Sequence, residues 1–177
     1  MSGVLLWSLQ GCGISVIDVM KLPIPKDEHE ERAISNIERT GLHILNVFSD
    51  DETSEFSYSV GLTYSYGQPE VLIYGLNRDV ATDILNQVAS LMETGTKFRD
   101  KDISLDVLDG FECKFMKVHK SHYRNHVGWT IWLNDYSNDF ELLQLVWPDK
   151  AGSFPDSNDA SDDFKAAQPL LNEAAVS

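Results

Sequence analysis

The stretch FSYSVGLTYSYGQPEVLIYGLNRDVATDILNQVASLM, residues 56–92, decides the fold because two strand patterns are followed in it by a helix pattern. Apolar residues alternate with serines over 56–60, which predicts a strand that is buried on one face. The apolar run 71–74 predicts a second, buried strand, and Gly-Gln-Pro at 67–69 predicts a turn before it. From Asp79 the apolar residues recur at helical spacing. We therefore expect a β-turn-β-α unit on which the rest of the chain packs.

The flanking sequence adds further elements with recognisable ends. A helix is predicted from its N-cap Asp27 to about Thr40, where Gly41 ends it. The remaining predictions are a strand over 42–48 in a hairpin with 56–62, a strand over 111–118, a helix from its cap Ser121 to about Trp132, a strand over 140–147 and a helical turn around 164–171. Together they predict an α+β fold: a mixed or mainly antiparallel sheet of about five strands with helices packed on it.

The ends of the chain differ in composition from its middle. We expect a poorly ordered or extended N-terminal segment over 1–26, a single α+β domain over 27–171 and a short tail over 172–177. Met20 resembles a natural start, so residues 1–19 are interpreted as an upstream extension of the reading frame. That stretch lacks the basic residues of a signal peptide and is short for a membrane helix, so no membrane association is predicted.

The net charge of the chain indicates which partners it suits, and its cysteines indicate the cellular compartment. The net charge is -14, from 28 acidic and 14 basic residues. It argues against nucleic-acid binding, which requires clustered Lys and Arg, and it suits a basic partner; simple solubility is the alternative explanation. Cys12 and Cys113 are far apart and have no metal-binding spacing, which indicates a reducing, cytoplasmic location and no zinc site.

Catalytic patterns are few. Neither a nucleophile elbow nor a phosphate-binding glycine loop is present. His122 and Tyr123 could exchange a proton and orient a ligand, and with Asp149 they are the candidates for a small hydrolase. His119 and His126 flank His122 at helical spacing, but capping or solvated histidines are the commoner explanation of such spacing, and no metal site is predicted.

Aromatic residues suggest recognition rather than catalysis. Tyr64 and Tyr66 fall in the predicted turn, where rings are available to a partner. The candidate binding residues are Tyr58, Tyr64, Tyr66, Glu70, Trp129 and Trp147. Core packing is the alternative for each ring, and capping is the alternative for Glu70.

Several short motifs occur in one order and carry a family resemblance. They are DEHE at 27–30, Gly41 with His43, FSYSVGLTYSYGQPEVLIYGL at 56–76, SHY at 121–123, Gly128-Trp129, LQLVWPD at 143–149, Gly152 with Phe154-Pro155, and QPLL at 168–171. In these residues the chain resembles the bacterial domain-of-unknown-function family numbered 4262 over residues 27–171. The resemblance implies no established activity. The segments GLTYSYGQPE and LQLVW are also faintly similar to suppressor-of-fused-like domains of bacterial toxin-immunity proteins.

Two functions of different classes are predicted. The leading prediction is a cytosolic, acidic, non-catalytic binding module of the immunity type that neutralises a basic protein partner, without a cofactor. The alternative is a small-molecule-binding enzyme of the split-barrel kind, which would hold a flavin by backbone and aromatic contacts.

Overall fold

The computed structural model describes residues 21–49 and 54–175. The predictions for residues 1–19 lie outside the described residues, and residues 21–26 contain no helix or strand. The helices are α1 (Glu28–Thr40), α2 (Leu62–Tyr66), α3 (Arg78–Glu93), α4 (Tyr123–His126), α5 (Gly128–Leu133) and α6 (Asp162–Ala167). The strands are β1 (His43–Val47), β2 (Phe56–Val60), β3 (Glu70–Tyr74), β4 (Ile103–Ser104), β5 (Cys113–Lys117) and β6 (Leu142–Val146).

All six strands form one mixed sheet in the order β1-β2-β3-β6-β5-β4. Four neighbouring pairs are antiparallel, and β3 runs parallel to β6 with Glu70 opposite Leu142. The predicted hairpin of β1 and β2 is confirmed, with His43 opposite Val60. The fold is α+β with helices on the sheet, as the sequence predicted.

A separate apolar core covers each face of the sheet. On one face, α3 packs Leu85 and Val88 against Val71, Phe115 and neighbouring side chains. On the other face, residues of α1, α4 and α5 pack with Tyr58, Tyr74 and Leu171. Because β2, β3 and β6 are covered on both sides, every residue of these strands is buried.

Helix α1 follows its sequence signals closely. The side chain of Asp27 accepts hydrogen bonds from the backbone N–H groups of His29 and Glu30, each at 2.9 Å. Gly41 ends the helix at φ 83°, and its N–H donates to the Ile37 carbonyl. Acidic residues fill the first turn, where the helix dipole favours them.

Three local predictions were wrong. Residues 62–66 form a short helix instead of a turn. Strand β2 is buried on both faces instead of one, and its serines are accommodated there because Ser57 donates to Asn46 and Ser59 donates to the buried Glu70. The single helix expected from Ser121 is a 3₁₀ turn followed by α4 and α5. The buried residue Val127 interrupts these two helices at φ -125° and ψ 49°, and His119 caps the first turn in place of Ser121. The two-residue strand β4 was not predicted.

Candidate interaction surface

The candidate site for a partner is the α2 surface, which consists of α2 (Leu62–Tyr66) and the carboxyl ends of α1 and α3 beside it. Glycines at positive φ flank α2, Gly61 at 112° and Gly67 at 62°. These are backbone conformations that other residues rarely adopt, so the chain enters and leaves this five-residue helix at sharp angles. A helix of this length is not stable by itself, so its conformation depends on contacts from elsewhere in the fold.

The contact that stabilises α2 comes from Glu70 at the start of β3. Its Oε1 accepts hydrogen bonds from the N–H groups of Gly61 and Thr63, both at 3.0 Å, and its Oε2 accepts from the Ser59 hydroxyl at 2.6 Å. The side chain is fully buried. Burial raises the pKa of the Glu70 carboxyl, although these hydrogen bonds act in the opposite direction. Glu70 therefore caps a helix that lies before it in the chain.

The two tyrosines of α2 differ in accessibility. Tyr64 is exposed over 37% of its surface, whereas Tyr66 is half-buried with its hydroxyl over Gly41, at the end of α1. Burial, and secondarily the charge of Glu93 at the end of α3, raise the pKa of Tyr66. The sequence prediction placed both rings where a partner could reach them; the structure leaves Tyr64 open and packs one side of Tyr66.

The carboxyl ends of two helices border α2. Tyr66 lies against the last turn of α1, and α2 contacts α3, whose final helical residue is Glu93. Gln68, just after α2, donates to the carbonyl of Thr96 beyond α3 at 2.6 Å. Helix carboxyl ends carry partial negative charge, so this surface combines exposed aromatic area with a negative potential. The basic residue in the last turn of α1, Arg39, donates to Asn36.

The other predicted binding residues have structural contacts. Tyr58 and Glu70 are buried, so neither side chain is accessible to a partner, and burial raises the pKa of Tyr58 to about 12. Trp147 donates its indole N–H to the Tyr74 carbonyl at 2.9 Å and packs edge-on against Phe164. Trp129 is half-buried and lies edge-on to Trp132.

The three hydrolase candidates are not brought together. Tyr123 is buried, and its hydroxyl accepts from the N–H of Leu142 at the start of β6. Asp149 follows the other end of β6, where its Oδ1 accepts from the N–H groups of Ala151 and Ser153. His122 interacts through Nε2 with the carbonyl of Glu173. With a five-residue strand between Tyr123 and Asp149, these groups share no common cleft.

The neighbouring histidines also have individual partners. Nδ1 of His119 accepts from the Ser121 N–H, and Nδ1 of His126 lies 2.7 Å from the His122 carbonyl, to which it must donate. Within residues 21–49 and 54–175, no group of three or more His, Cys, Asp or Glu side chains is arranged to hold a metal ion. None of the helices in the same ranges is long and apolar enough to cross a membrane.

Two features were not predicted from the sequence. The first is the helix that Glu70 caps: capping was the alternative considered for Glu70, but α2 could not be inferred as its target because the acceptor follows its donors by seven to nine residues. The second is a lysine-lined groove along β5. A usable signal existed for the groove, since residues 97–124 contain seven of the 14 basic residues of this acidic chain.

Comparison with known proteins identifies the family without an activity. The curated proteins and the solved structures gave no match. A family model described as "Domain of unknown function (DUF4262)" matches residues 36–161, which include β1 to β6 and the whole of α2. The chain therefore belongs to the domain-of-unknown-function family DUF4262.

Proposed function

We propose that the protein is a cytoplasmic binding module of the immunity type, which neutralises a basic protein partner through the α2 surface. The observation that carries this proposal is the exposed ring of Tyr64 on a helix whose position is set by the buried carboxylate of Glu70. A buried carboxylate is costly, and here its hydrogen bonds hold a short helix that presents an aromatic side chain.

The charge of the partner follows from the surroundings of α2. The carboxyl ends of α1 and α3 and the side chain of Glu93 favour cations, and the face of a tyrosine ring binds Lys or Arg by a cation–π contact. The net charge of -14 adds a long-range attraction for a basic protein. Binding should therefore weaken as salt is added.

The test is affinity capture from the native host at low salt, with the wild type and two matched variants. Tyr64→Ser removes the ring on α2, and Phe111→Ser removes a ring of similar exposure, 39% against 37%, just before β5. We expect one stoichiometric basic protein to be retained by the wild type and by Phe111→Ser. Its Kd should rise about tenfold or more for Tyr64→Ser, as for an aromatic residue at the centre of an interface.

Neutralisation is measured separately by co-expression. If the captured protein arrests growth, the wild type should restore growth and Tyr64→Ser should not. Failure to retain a stoichiometric partner at low salt, or equal retention by Tyr64→Ser, would contradict the proposal.

The alternative, a flavin-binding enzyme of the split-barrel kind, stays a prediction. Its test is the visible absorbance of the purified protein before and after addition of flavin. A colourless protein that takes up no flavin eliminates it.

A further inference from the structure

A groove of about 710 Å³ runs along β5 on the sheet face opposite α3. Four of the nine lysines of the chain line it, and the partly exposed Met116 contributes apolar surface. Its volume is within the range usual for small-molecule sites. The groove is distinct from the α2 surface, and a ligand site in it would be independent of the proposed function.

The lysines reach the groove from three pieces of chain. Lys114 lies in β5 and alternates with the buried residues Cys113 and Phe115, so it points to the groove side of the sheet. Lys117 ends the strand and Lys120 begins the 3₁₀ turn after it. Lys101 comes from the turn before β4, which is held on β5 by a hydrogen bond from its N–H to the Phe115 carbonyl at 2.8 Å.

Two of these lysines are engaged within the protein. The Nζ atom of Lys114 lies 2.9 Å from Asp156 and 4.5 Å from the ring centre of Phe154. Lys117 pairs with Glu141 at 2.6 Å. These contacts position the ammonium groups and offset much of their charge, so neither lysine is the main source of attraction for a ligand.

The other two are available to a ligand. Lys120 lies 3.8 Å from Asp139, and both side chains are more than half exposed, which makes this a weak pair. Lys101 forms no ion pair with any residue in the described part of the chain. Asp100 also lines the groove, and its side chain accepts a hydrogen bond from the backbone N–H of Lys117 at 2.8 Å.

The charge distribution of the whole chain directs anions to this region. Residues 97–124 hold seven basic and five acidic residues, whereas the rest of the chain holds seven basic and 23 acidic residues. An anion is repelled by most of the surface and attracted by this segment.

We propose that the groove along β5 binds a small ligand with one anionic group, a phosphate or a carboxylate, and a short apolar body. The anionic group lies between Lys101 and Lys120, and the apolar body contacts Met116.

The test is a titration of the ¹⁵N-labelled full chain followed by amide chemical shifts. The probes are hexyl phosphate, hexanoate, inorganic phosphate and hexanol. We expect saturable shifts in β5 and residues 100–102 with hexyl phosphate or hexanoate, and the stronger of the two identifies the anion. Inorganic phosphate should bind more weakly because it lacks the apolar body, and hexanol should not bind. Absence of saturable shifts with both anionic amphiphiles, or equal binding of hexanol, overturns the proposal.

Matched variants distinguish binding at the groove from a general attraction of anions by the protein's positive charges. The pair Lys101→Asn and Lys120→Gln removes two charges from the groove, and Asn tolerates the positive φ of 72° at position 101. The control pair Lys150→Gln and Lys165→Gln removes two charges outside it. We expect the groove variant to bind the better probe about tenfold more weakly and the control to change binding less than about twofold. Equal weakening in both pairs overturns the proposal.

Discussion

At the scale of single residues, Glu70 shows how one buried ionisable group organises its neighbourhood. Its carboxylate accepts three hydrogen bonds, and Ser59, one of the donors, accepts in turn from the N–H of Val71 at 2.8 Å. Every member of this network is thereby satisfied, as a buried polar cluster requires. The exposed ring of Tyr64 depends on this arrangement, although Glu70 itself meets no solvent.

Glu70→Ala should lower the free energy of unfolding by about 3 kcal/mol, because it leaves buried donors without an acceptor. Glu70→Gln should cost only about 1 kcal/mol, since the amide can still accept from Gly61 and Thr63. Urea unfolding measures both, with the exposed Glu93→Ala as the control, expected within about 0.5 kcal/mol of the wild type. Equal losses of unfolding free energy in Glu70→Ala and Glu93→Ala would contradict the role of Glu70 as the cap of α2.

The pH dependence of the Glu70→Gln effect has a definite sign. Burial raises the pKa of Glu70 above its unfolded value, so the contribution of this group to stability is full at low pH and is lost as the pH rises through the folded-state pKa. The destabilisation caused by Glu70→Gln should therefore be larger at about pH 5 than at about pH 8. If the destabilisation by Glu70→Gln increases with pH instead, the hydrogen bonds lower the pKa of Glu70 by more than burial raises it.

His126 should make the protein less stable in mild acid. It packs against the rings of Phe56 and Tyr74, and burial lowers its pKa from 6.5. The unfolded chain then binds a proton first, so stability falls as the pH drops below about 6.5. His126→Phe should reduce the slope of unfolding free energy against pH by up to about 0.5 kcal/mol per unit. The exposed His29→Gln is the control, and an unchanged slope in His126→Phe would contradict the expectation.

At the scale of elements, the junction between α1 and α2 determines where the tyrosines lie. Gly41 ends α1 in the left-handed backbone conformation, and the Tyr66 hydroxyl packs directly against it. A β-carbon at position 41 would overlap that hydroxyl. One glycine thus satisfies a backbone requirement and a packing requirement. The two requirements can be separated experimentally.

Gly41→Ala should cost about 2–3 kcal/mol, of which about 1 kcal/mol is the backbone term and the rest is the overlap with Tyr66. In a Tyr66→Ala background the same substitution should cost only about 1 kcal/mol. A double-mutant cycle by urea unfolding gives the coupling between the two positions. Additive costs would mean that the ring moves away freely and that α2 is not packed on α1 as described.

At the scale of the whole molecule, the side chains of two glutamines hold the C-terminal segment, residues 168–171, on the sheet. Gln144 in β6 donates to the Pro169 carbonyl at 2.8 Å and accepts from the Leu171 N–H at 3.0 Å. Gln168 accepts from the Trp147 N–H at 2.9 Å and donates to the Trp147 carbonyl at 3.0 Å. Each amide replaces a backbone pairing, so the segment after α6 is held on β6 although it is not a strand.

Gln168→Ala should lower the free energy of unfolding by about 2–3 kcal/mol, since it leaves both backbone groups of Trp147 unpaired. Hydrogen exchange should show faster opening of residues 168–171 in the variant. Gln87→Ala is the matched control, because Gln87 also bonds a backbone carbonyl but lies at the surface. A cost equal to that of the control would contradict the fastening role.

The sequence by itself determined the elements whose signals are local. Asp27 and Gly41 mark the ends of α1, helical spacing marks α3, and alternation or apolar runs mark β1, β2, β3, β5 and β6. These signals act over a few residues and are therefore readable in order along the chain. They were sufficient for the α+β class and for the hairpin of β1 and β2.

The tertiary structure alone decided the features that join distant residues. It paired β3 with β6 in parallel, capped α2 with Glu70 and held Lys101, in the turn before β4, against β5. Each of these depends on contacts between segments that the local pattern leaves independent, so burial and hydrogen-bond satisfaction in the folded chain override local propensity. The exposed ring on α2 belongs to this second class, because Glu70, at the start of β3, caps the helix that carries it.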